Sequence, residues 1–208
     1  LSIEKLQQKL EEHQASGYSI PKVVIPVHLS GQSCDMQSIY ELGQQYGFKI
    51  IEDASHAIGG TYQNEPVGNC KYSDITVFSF HPVKIITTGE GGMALTNDPE
   101  IHNHMKRLRS HGITNNPKHM TIESSEPWYY EQIELGFNYR MTDIHAALGL
   151  SQLERLEEFV EKRNELTQNY KEAFADAPIQ MQTVPEEAYS ARHLYVILVP
   201  KHQHLSLF

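Results

Sequence analysis

Two short β-branched runs separated by a helical pattern constrain the fold of this chain more than any other feature. The runs are KVVIPV at residues 22–27 and FKIIE at residues 48–52, and the segment Met36–Tyr46 between them has the apolar spacing of an amphipathic helix. Strand, helix and strand in this order predict a parallel βαβ unit. Strands at residues 75–80 and 92–96 and a helix over 99–109 extend the pattern. We therefore expect an α/β protein with a doubly wound sheet.

Composition and charge narrow the possible functions. The chain of 208 residues has 39% hydrophobic and 21% charged side chains, which is ordinary for a globular protein. Its formal net charge of −9 argues against broad binding to nucleic acid or to an anionic membrane, since both attract basic surfaces. No apolar run approaches the roughly 18–20 residues that cross a bilayer. Cys34 and Cys70 are too few for a disulfide framework, so a reducing cytoplasm fits best, and without paired zinc-ligand spacing we expect no metal.

The second half of the sequence is organised differently. Residues 112–136 form a long polar and aromatic connection, and ordered loops of that length tend to be functional. From Thr142 to about residue 175 the apolar residues keep near one helical stripe, which predicts a single long helix that bridges to a second domain. Residues 191–200 (ARHLYVILVP) would be the first strand of that domain. Because the chain has no initiator Met and ends soon after this run, we interpret it as a piece of a longer protein.

Polar residues at two strand ends indicate a ligand site. Asp53 ends the strand FKII, and His56 follows three residues later. The carboxyl ends of strands in α/β sheets face the ligand crevice, so Asp53 lies either at the edge of a site or at the cap of a turn. Ser79 and Lys84 follow the strand ITVF within SFHPVKIITTGEGG. A lysine that loses hydration there is a better nucleophile, although a turn serine and a solvated loop lysine explain the pair as well.

Three further features are weaker signals. The glycines of residues 88–92 (TGEGG) permit a close backbone approach, but they fit neither a dinucleotide-binding nor a P-loop pattern. Asn138 and Arg140 precede the long helical pattern, a position that suits anions, and a solvated loop explains them equally. Trp128 and Tyr129 belong to an aromatic run that suits a uracil or sugar face or packs within its own loop.

Four motifs together resemble a known family. EDASHAIGG, SFHPVKIITTGEGG, LRSHGI and GFNYRMTDIHAALGL, in this order, resemble the pyridoxal-phosphate sugar aminotransferases of the DegT/DnrJ/StrS type. The resemblance implies the type I, aspartate-aminotransferase-like fold of PLP-dependent transferases. It divides the chain into part of a large cofactor-binding domain (1–141), a long bridging helix (142–177) and the start of a small C-terminal domain (178–208). Relatives are nearly twice as long, so the isolated chain is expected to bind the cofactor weakly or to be inactive.

The resemblance also implies a role for each residue of the motifs. Lys84 would form a Schiff base with pyridoxal phosphate and, once displaced by the amino donor, act as the base that moves a proton. Asp53 would pair with the pyridine nitrogen, and His56 would lie beside the ring near its phenolic oxygen. Ser79 would bind the cofactor phosphate. Asn138 would bind the same phosphate from the neighbouring subunit, which makes a homodimer part of the active site.

A finer resemblance narrows the substrate. PVHLSGQSCDM and EPWYYEQIELGFNYRMTD resemble segments of the aminotransferases of the pseudaminic-acid pathway, which transfer an amino group from L-glutamate, leaving 2-oxoglutarate, to C4 of a UDP-linked 4-keto-6-deoxy-N-acetylhexosamine. Trp128, Tyr129 and Arg140 are the expected substrate contacts. Aminotransferases for other 3-keto or 4-keto nucleotide sugars remain an alternative, as does a non-catalytic scaffold. Sugar 3-dehydratases of this fold carry His in place of the Schiff-base lysine, so Lys84 argues against that group.

Overall fold

The structure is a computed structural model that describes residues 1–124 and 126–200. Its first half contains helix α1 (Ile3–Ala15), strand β1 (Val23–Val24), a 3₁₀ turn (Leu29–Gly31), helix α2 (Met36–Tyr46), and strands β2 (Lys49–Asp53), β3 (Thr61–Tyr62), β4 (Glu65–Pro66), β5 (Ile75–Ser79) and β6 (Gly92–Leu95). Helix α3 (Pro99–Leu108), strands β7 (Ile113–Thr114) and β8 (Glu131–Gln132), helices α4 (Asp143–Leu153) and α5 (Leu156–Ala173), and strands β9 (Gln180–Met181), β10 (Ala188–Tyr189) and β11 (Ile197–Leu198) follow. Among the described helices, none is both long and apolar enough to cross a membrane.

A four-stranded sheet in the order β1-β2-β5-β6 forms the centre of the first half. Strands β1, β2 and β5 are parallel, with Asp53 opposite Val77, so the predicted βαβ unit is confirmed. Strand β6 is antiparallel to β5, and Ser79 lies opposite Gly92. The expected doubly wound arrangement therefore does not extend to β6. Residues 80–91 turn back without a helix, and a parallel neighbour would need a longer crossover.

Helix α2 fixes the strand that carries Asp53. The Asp35 side chain accepts a hydrogen bond from the backbone N–H of Ser38 and caps the start of the helix. Gly47 ends it in the left-handed conformation with φ of 78°, which glycine adopts without strain. Met36 and Ile39 are buried in the core, and each buried side chain of this size contributes about 1.5–3 kcal/mol. The chain thus enters β2 from a well-anchored helix.

A second apolar cluster lies beneath the loop that carries Lys84. Its buried members are Ala54, Ala57, Phe78, Phe80 and Ile86, and Leu156 and Phe159 of α5 pack against it. Ile85 is buried with Val160 of α5 and with Ala191. Ile85 and Ile86, the two residues that follow Lys84, are therefore held in the core. Helix α5 packs on this core and supports the Lys84 loop from one side.

The predicted single helix over residues 142–175, and with it the 142–177 bridging helix, is wrong. Helix α4 ends at Leu153, a turn follows at Glu154 and Arg155, and α5 begins at Leu156. The guanidinium of Arg155 stacks over the Phe159 ring, with the Cζ atom 4.6 Å from the ring centroid. The bend lets Leu156 and Phe159 pack on the second apolar cluster, whereas α4 has no fully buried residue. The hydrophobic period continues across the break, which is why the pattern alone suggested one helix.

The C-terminal segment is also less regular than expected. Of the predicted strand over 191–200, only Ile197–Leu198 is in a strand, antiparallel to β9. Arg192 has a left-handed φ of 50°, which ends any extended run there. Strand β10 pairs with β3 of the first half. The domain boundaries at 141 and 177 remain predictions, and residues 201–208 of the expected small domain lie outside the described residues.

The connection over residues 112–136 is closed at its base by strands β7 and β8, with Thr114 opposite Glu131. The Glu131 carboxylate accepts hydrogen bonds from the backbone N–H groups of Thr121 and Ile122 at 2.8 and 2.9 Å. It also accepts one from the Tyr129 hydroxyl at 3.2 Å. A single carboxylate therefore organises the described part of this long loop.

Candidate active site

The register of β2 and β5 brings Asp53 and Ser79 to the same edge of the sheet. Asp53 is opposite Val77, and Ser79 lies two residues further along the parallel neighbour. Asp53 Oδ1 accepts a hydrogen bond from the backbone N–H of Ser55 at 3.1 Å. The interpretations of Asp53 as a turn cap and as a residue at a site edge are therefore compatible, because the carboxylate caps the turn and lies at the carboxyl end of a central strand.

The loop after β5 folds back over the sheet edge and carries Lys84. The backbone N–H of Phe80 donates to the Gly91 carbonyl at 2.8 Å, and the Thr88 N–H donates to the Phe80 carbonyl at 3.0 Å. Within the loop the Lys84 N–H donates to the His81 carbonyl at 2.9 Å. Lys84 is half-buried between an exposed Val83 and buried Ile85. Lys84 therefore lies in a packed loop with its side chain partly exposed, and its role remains a prediction.

Two charged side chains, those of Lys84 and Asp53, shift the pKa of His56 in opposite directions. Burial lowers the pKa of His56, the ammonium group of Lys84 lowers it further, and the carboxylate of Asp53 opposes the shift. Such effects require both charges to lie near the imidazole. Asp53 and Lys84 therefore lie near His56, and the roles of the three side chains in a common site remain predictions.

His193, which the sequence did not indicate, packs against His56. The ring of His193 packs against the ring of His56, with centroids 4.4 Å apart and an interplanar angle of 37°. Burial and, to a smaller extent, the nearby His56, Lys84 and Arg163 together lower the pKa of His193 to about 4. His193 is therefore a neutral imidazole at ordinary pH. Among the scattered histidines of the sequence, the only available signal was its place in the run ARHLYVIL.

Across the described residues, the structure does not link the expected substrate contacts, or the expected phosphate ligand from the partner, to Lys84. Asn138 is exposed and bridges to Ser110 in an antiparallel arrangement. Trp128 is 71% exposed, and Arg140 is also exposed. Tyr129 donates to Glu131 within its own loop. Within the described part of the chain, no hydrogen bond joins these side chains to the Lys84 site, so their roles remain predictions.

A family model described as the DegT/DnrJ/EryC1/StrS aminotransferase family matches residues 1–207. The chain belongs to this family. The match confirms the family indicated by the four motifs, and solved relatives of the same family confirm the PLP-dependent transferase fold.

Two relatives illustrate the similarity. A UDP-4-amino-4,6-dideoxy-N-acetyl-beta-L-altrosamine transaminase of Campylobacter jejuni is 38% identical over 195 residues, which cover 93% of this chain and 49% of that protein. The structure of Helicobacter pylori PseC, an aminotransferase involved in the biosynthesis of pseudoaminic acid, matches with a TM-score of 0.77 at 35% identity and covers 88% of this chain and 46% of that one. The chain spans about half the length of the relatives it matches.

A third relative bears on the cofactor. Spr1654 of Streptococcus pneumoniae, described as a sugar aminotransferase, has structures in a PLP form and a PMP form. Their TM-scores to this chain are 0.73 and 0.75 at 31% identity, with coverage of 86% of this chain and 48% and 50% of those chains. Members of the DegT/DnrJ/EryC1/StrS family thus use the cofactor that the sequence predicted.

The side chains at the sheet edge fit pyridoxal phosphate. Of the two carboxylate oxygens of Asp53, only Oδ1 accepts a hydrogen bond from the described residues. Oδ2 is therefore available to the protonated nitrogen of a pyridine ring. The half-buried Lys84 supplies an amine for an aldehyde, and Ser79 supplies a hydroxyl for a phosphate. A carboxylate, an amine and a hydroxyl at one edge are the donor and acceptor set that this cofactor needs.

Proposed function

We propose that the full protein containing this chain is a pyridoxal-phosphate-dependent aminotransferase that transfers an amino group from L-glutamate to C4 of a UDP-linked 4-keto-6-deoxy-N-acetylhexosamine. The observation that carries the proposal is the convergence of Lys84, Asp53 and His56 at the carboxyl edge of the sheet. Similarity to the C. jejuni transaminase and to PseC supports this choice of sugar. We place the reaction in the cytoplasm, because Cys34 and Cys70 are free thiols.

Lys84 carries the central role in this proposal. Pyridoxal phosphate supplies an aldehyde that accepts the amino group and a ring that takes up the electrons of a broken C–H bond. The Lys84 amine would hold the cofactor covalently until the amino donor displaces it. The freed amine would then move a proton between the carbon of the donor and that of the cofactor. Its half-buried place beside the buried residues Ile85 and Ile86 suits this role, because the packed loop limits where the amine can lie.

Three other side chains would orient the cofactor. Asp53 would keep the pyridine nitrogen protonated through the carboxylate oxygen that the turn leaves free. Ser79 would donate its hydroxyl to the phosphate at the end of β5. His56 would lie beside the ring. Each side chain is placed by a regular strand or by the turn that follows one, which holds the ring in a fixed orientation toward Lys84.

A second subunit is part of the proposal. The segment before α4 and the helix itself expose large apolar side chains, including Leu135, Phe137, Tyr139, Ile144 and Leu150. Phe137 and Tyr139 stack on each other at 4.8 Å and flank the exposed Asn138. Exposed apolar surface of this kind is typical of protein interfaces. We infer that a partner subunit covers it and that Asn138 contacts the phosphate bound by the partner.

Borohydride reduction followed by peptide mapping tests the role of Lys84. We expect the full-length wild type to carry a phosphopyridoxyl label on Lys84, and Lys84→Ala to carry none. Lys71→Ala is the control, since Lys71 pairs with Glu65 on the surface at 2.5 Å and should keep the label on Lys84. A folded full-length wild type with no label, or with the label on another lysine, contradicts the proposal and favours the scaffold alternative.

The position of the new amine tests the substrate. The full-length protein is incubated with pyridoxal phosphate, L-glutamate and either a 4-keto or a 3-keto UDP-sugar, and the product is identified by NMR. We expect the amine at C4 together with 2-oxoglutarate. An amine at C3, or turnover of the 3-keto sugar alone, would replace the proposed substrate while leaving the cofactor assignment intact.

A further inference from the structure

A strained backbone crossing lies beside the Lys84 site. Ser30 and Gly31 both have left-handed φ angles, 64° and 99°. The Gly31 carbonyl accepts a hydrogen bond from Ala191 N–H at 2.9 Å. A Cβ atom at position 31 would lie 2.7 Å from the backbone nitrogen of Arg192 and 2.9 Å from the carbonyl oxygen of His56. Three segments of the chain therefore meet here so closely that only glycine fits.

The crossing determines which nitrogen of His56 carries a proton. The backbone N–H of Ser30 donates to Nδ1 of His56 at 3.3 Å. A backbone N–H can only donate, so Nδ1 must be the unprotonated acceptor. The proton of the neutral ring is then on Nε2. Protonation of Nδ1 would set two donors against each other and break this contact.

His193 supports the same state of His56 by packing. It is 8% exposed, and its ring covers that of His56. Nδ1 of His193 is buried and has no hydrogen-bond partner among the described residues, so His193 contacts His56 by packing of the two rings and not by a hydrogen bond through this atom. Arg163 holds this segment, since its Nη1 donates to the carbonyls of Arg192 and His193 at 3.3 and 3.2 Å.

We infer that His193 and the Ser30–Gly31 turn are positioning elements that hold His56 as a neutral, Nε2-protonated imidazole, so that His56 donates a hydrogen bond to an oxygen in the Lys84 site. The identity of that oxygen, the phenolic oxygen of the pyridoxal ring, rests on the proposed function. The charged and titratable groups near the two histidines are Asp53, Lys84 and Arg163. The two cations oppose a further positive charge on either ring.

Nitrogen NMR of the full-length protein labelled with ¹⁵N-histidine tests the inference without any cofactor. His56→Gln identifies the His56 signals by their loss. We expect the wild type at pH 7 to show an unprotonated Nδ1 and a protonated Nε2 on His56. A ring protonated on Nδ1, or on both nitrogens, would overturn the inference.

Substitutions at His193 test whether packing maintains this state. His193→Ala exposes the His56 ring to water, so the titration midpoint of His56 should rise toward its ordinary value of 6.5. His193→Phe keeps an aromatic ring in place and should keep the lowered midpoint. An unchanged midpoint in a folded His193→Ala variant would show that His193 has no positioning role.

Cofactor affinity tests the donor role. His56→Gln retains an N–H donor, whereas His56→Leu has none. We expect the Leu variant to bind pyridoxal phosphate roughly tenfold more weakly than the Gln variant, as for the loss of one hydrogen bond to a charged group. Equal affinities would overturn the donor role. A wild type that binds no pyridoxal phosphate would refute the proposed function, while the tautomer measured by NMR would still decide the state of His56.

Discussion

The Nε2 atom of His28 lies 2.8 Å from Oε2 of Glu52, both side chains are buried, and Glu52 directly precedes Asp53 at the end of β2. The backbone N–H of Cys34 donates to Nδ1 of His28 at 3.2 Å, so the ring proton is on Nε2 and is donated to Glu52. The His28 N–H in turn donates to the Asp53 carbonyl at 3.0 Å. This buried network therefore fixes the backbone that carries Asp53 at the proposed cofactor site.

Replacement of Glu52 by Gln should destabilise the protein. The Glu52 carboxylate also accepts hydrogen bonds from Ser73 and, at 2.9 Å, from Thr76. An amide accepts these bonds less strongly than a carboxylate, so we expect a loss of about 2 kcal/mol in the free energy of unfolding. Urea denaturation of the full-length protein measures it. The control is Lys49→Ala, which removes an exposed pair with Asp74 and should cost less than about 1 kcal/mol. Equal losses in the two variants would contradict a structural role for the network.

The contribution of Glu52 should depend on pH with a defined sign. Burial raises the pKa of the Glu52 carboxyl, but hydrogen bonds from His28, Ser73 and Thr76 outweigh burial and leave it below the ordinary value of 4.5. A carboxyl whose pKa is lower in the folded state stabilises the protein above its unfolded pKa, and that stability is lost as the pH falls through the folded pKa. The stability difference between wild type and Glu52→Gln should therefore hold from pH 7 to about 5 and shrink below pH 4.5. A difference that grows on acidification would show that Glu52 is protonated in the native state.

The titration of His56 should respond in opposite directions to its two charged neighbours. Lys84→Met removes the ammonium group that lowers the pKa of His56, so the midpoint should rise. Asp53→Asn removes the carboxylate that opposes this shift, so the midpoint should fall. Histidine NMR of the full-length protein without cofactor measures both. Lys71→Met serves as the control, since Lys71 pairs with Glu65 and is not among the groups that shift His56. Shifts of the same sign in both variants would mean that His56 does not lie between these charges.

Much of the fold could be predicted because local signals agreed with it. Asp35 and Gly47 mark the two ends of α2, and the observed helix has the predicted bounds. The break at Glu154 and Arg155 could not be predicted, because neither residue is a helix breaker and the apolar period continues through the turn. Strand β6 was predicted, but its antiparallel orientation was not, since that orientation depends on how the Lys84 loop folds and not on the strand sequence.

The candidate site was predictable where a motif lies at a strand end. Asp53 and Ser79 are the last residues of apolar strands that the pattern identifies, and parallel pairing brings the ends of these strands together. His193 is different, because it reaches the site through the left-handed turn at Arg192 and the crossing at Gly31. Contacts between segments that are far apart in sequence leave no periodic signal. A histidine of this kind becomes recognisable only in the folded chain.

The packing of α5 against the turn before β3 predicts different effects for two glycines with similar backbone angles. Gly59 has a φ of 82°, and a Cβ there would lie 2.8 Å from the Cγ2 atom of Val160. Gly47 has a φ of 78°, and a Cβ there would meet nothing within 4 Å. We expect Gly47→Ala to cost about 1 kcal/mol from backbone strain alone, and Gly59→Ala roughly 2–4 kcal/mol because overpacking adds to it. Urea denaturation of both variants gives the comparison, and equal costs would mean that α5 does not pack closely on Gly59.

The exposed apolar side chains of α4 predict that the full-length protein is a dimer. Ile144 is 82% exposed and Leu150 is 66% exposed, and both lie on the helix that follows Asn138. The double variant Ile144→Asp/Leu150→Asp should sediment as a monomer, because two buried charges would make the interface unfavourable. It should also bind pyridoxal phosphate more weakly, since Asn138 of the partner subunit would no longer reach the phosphate. The control is Ile122→Asp, which places a charge on an exposed residue of the 112–136 loop and should remain a dimer. A monomeric wild type, or a double variant that is still a dimer with full cofactor affinity, would remove α4 from the interface.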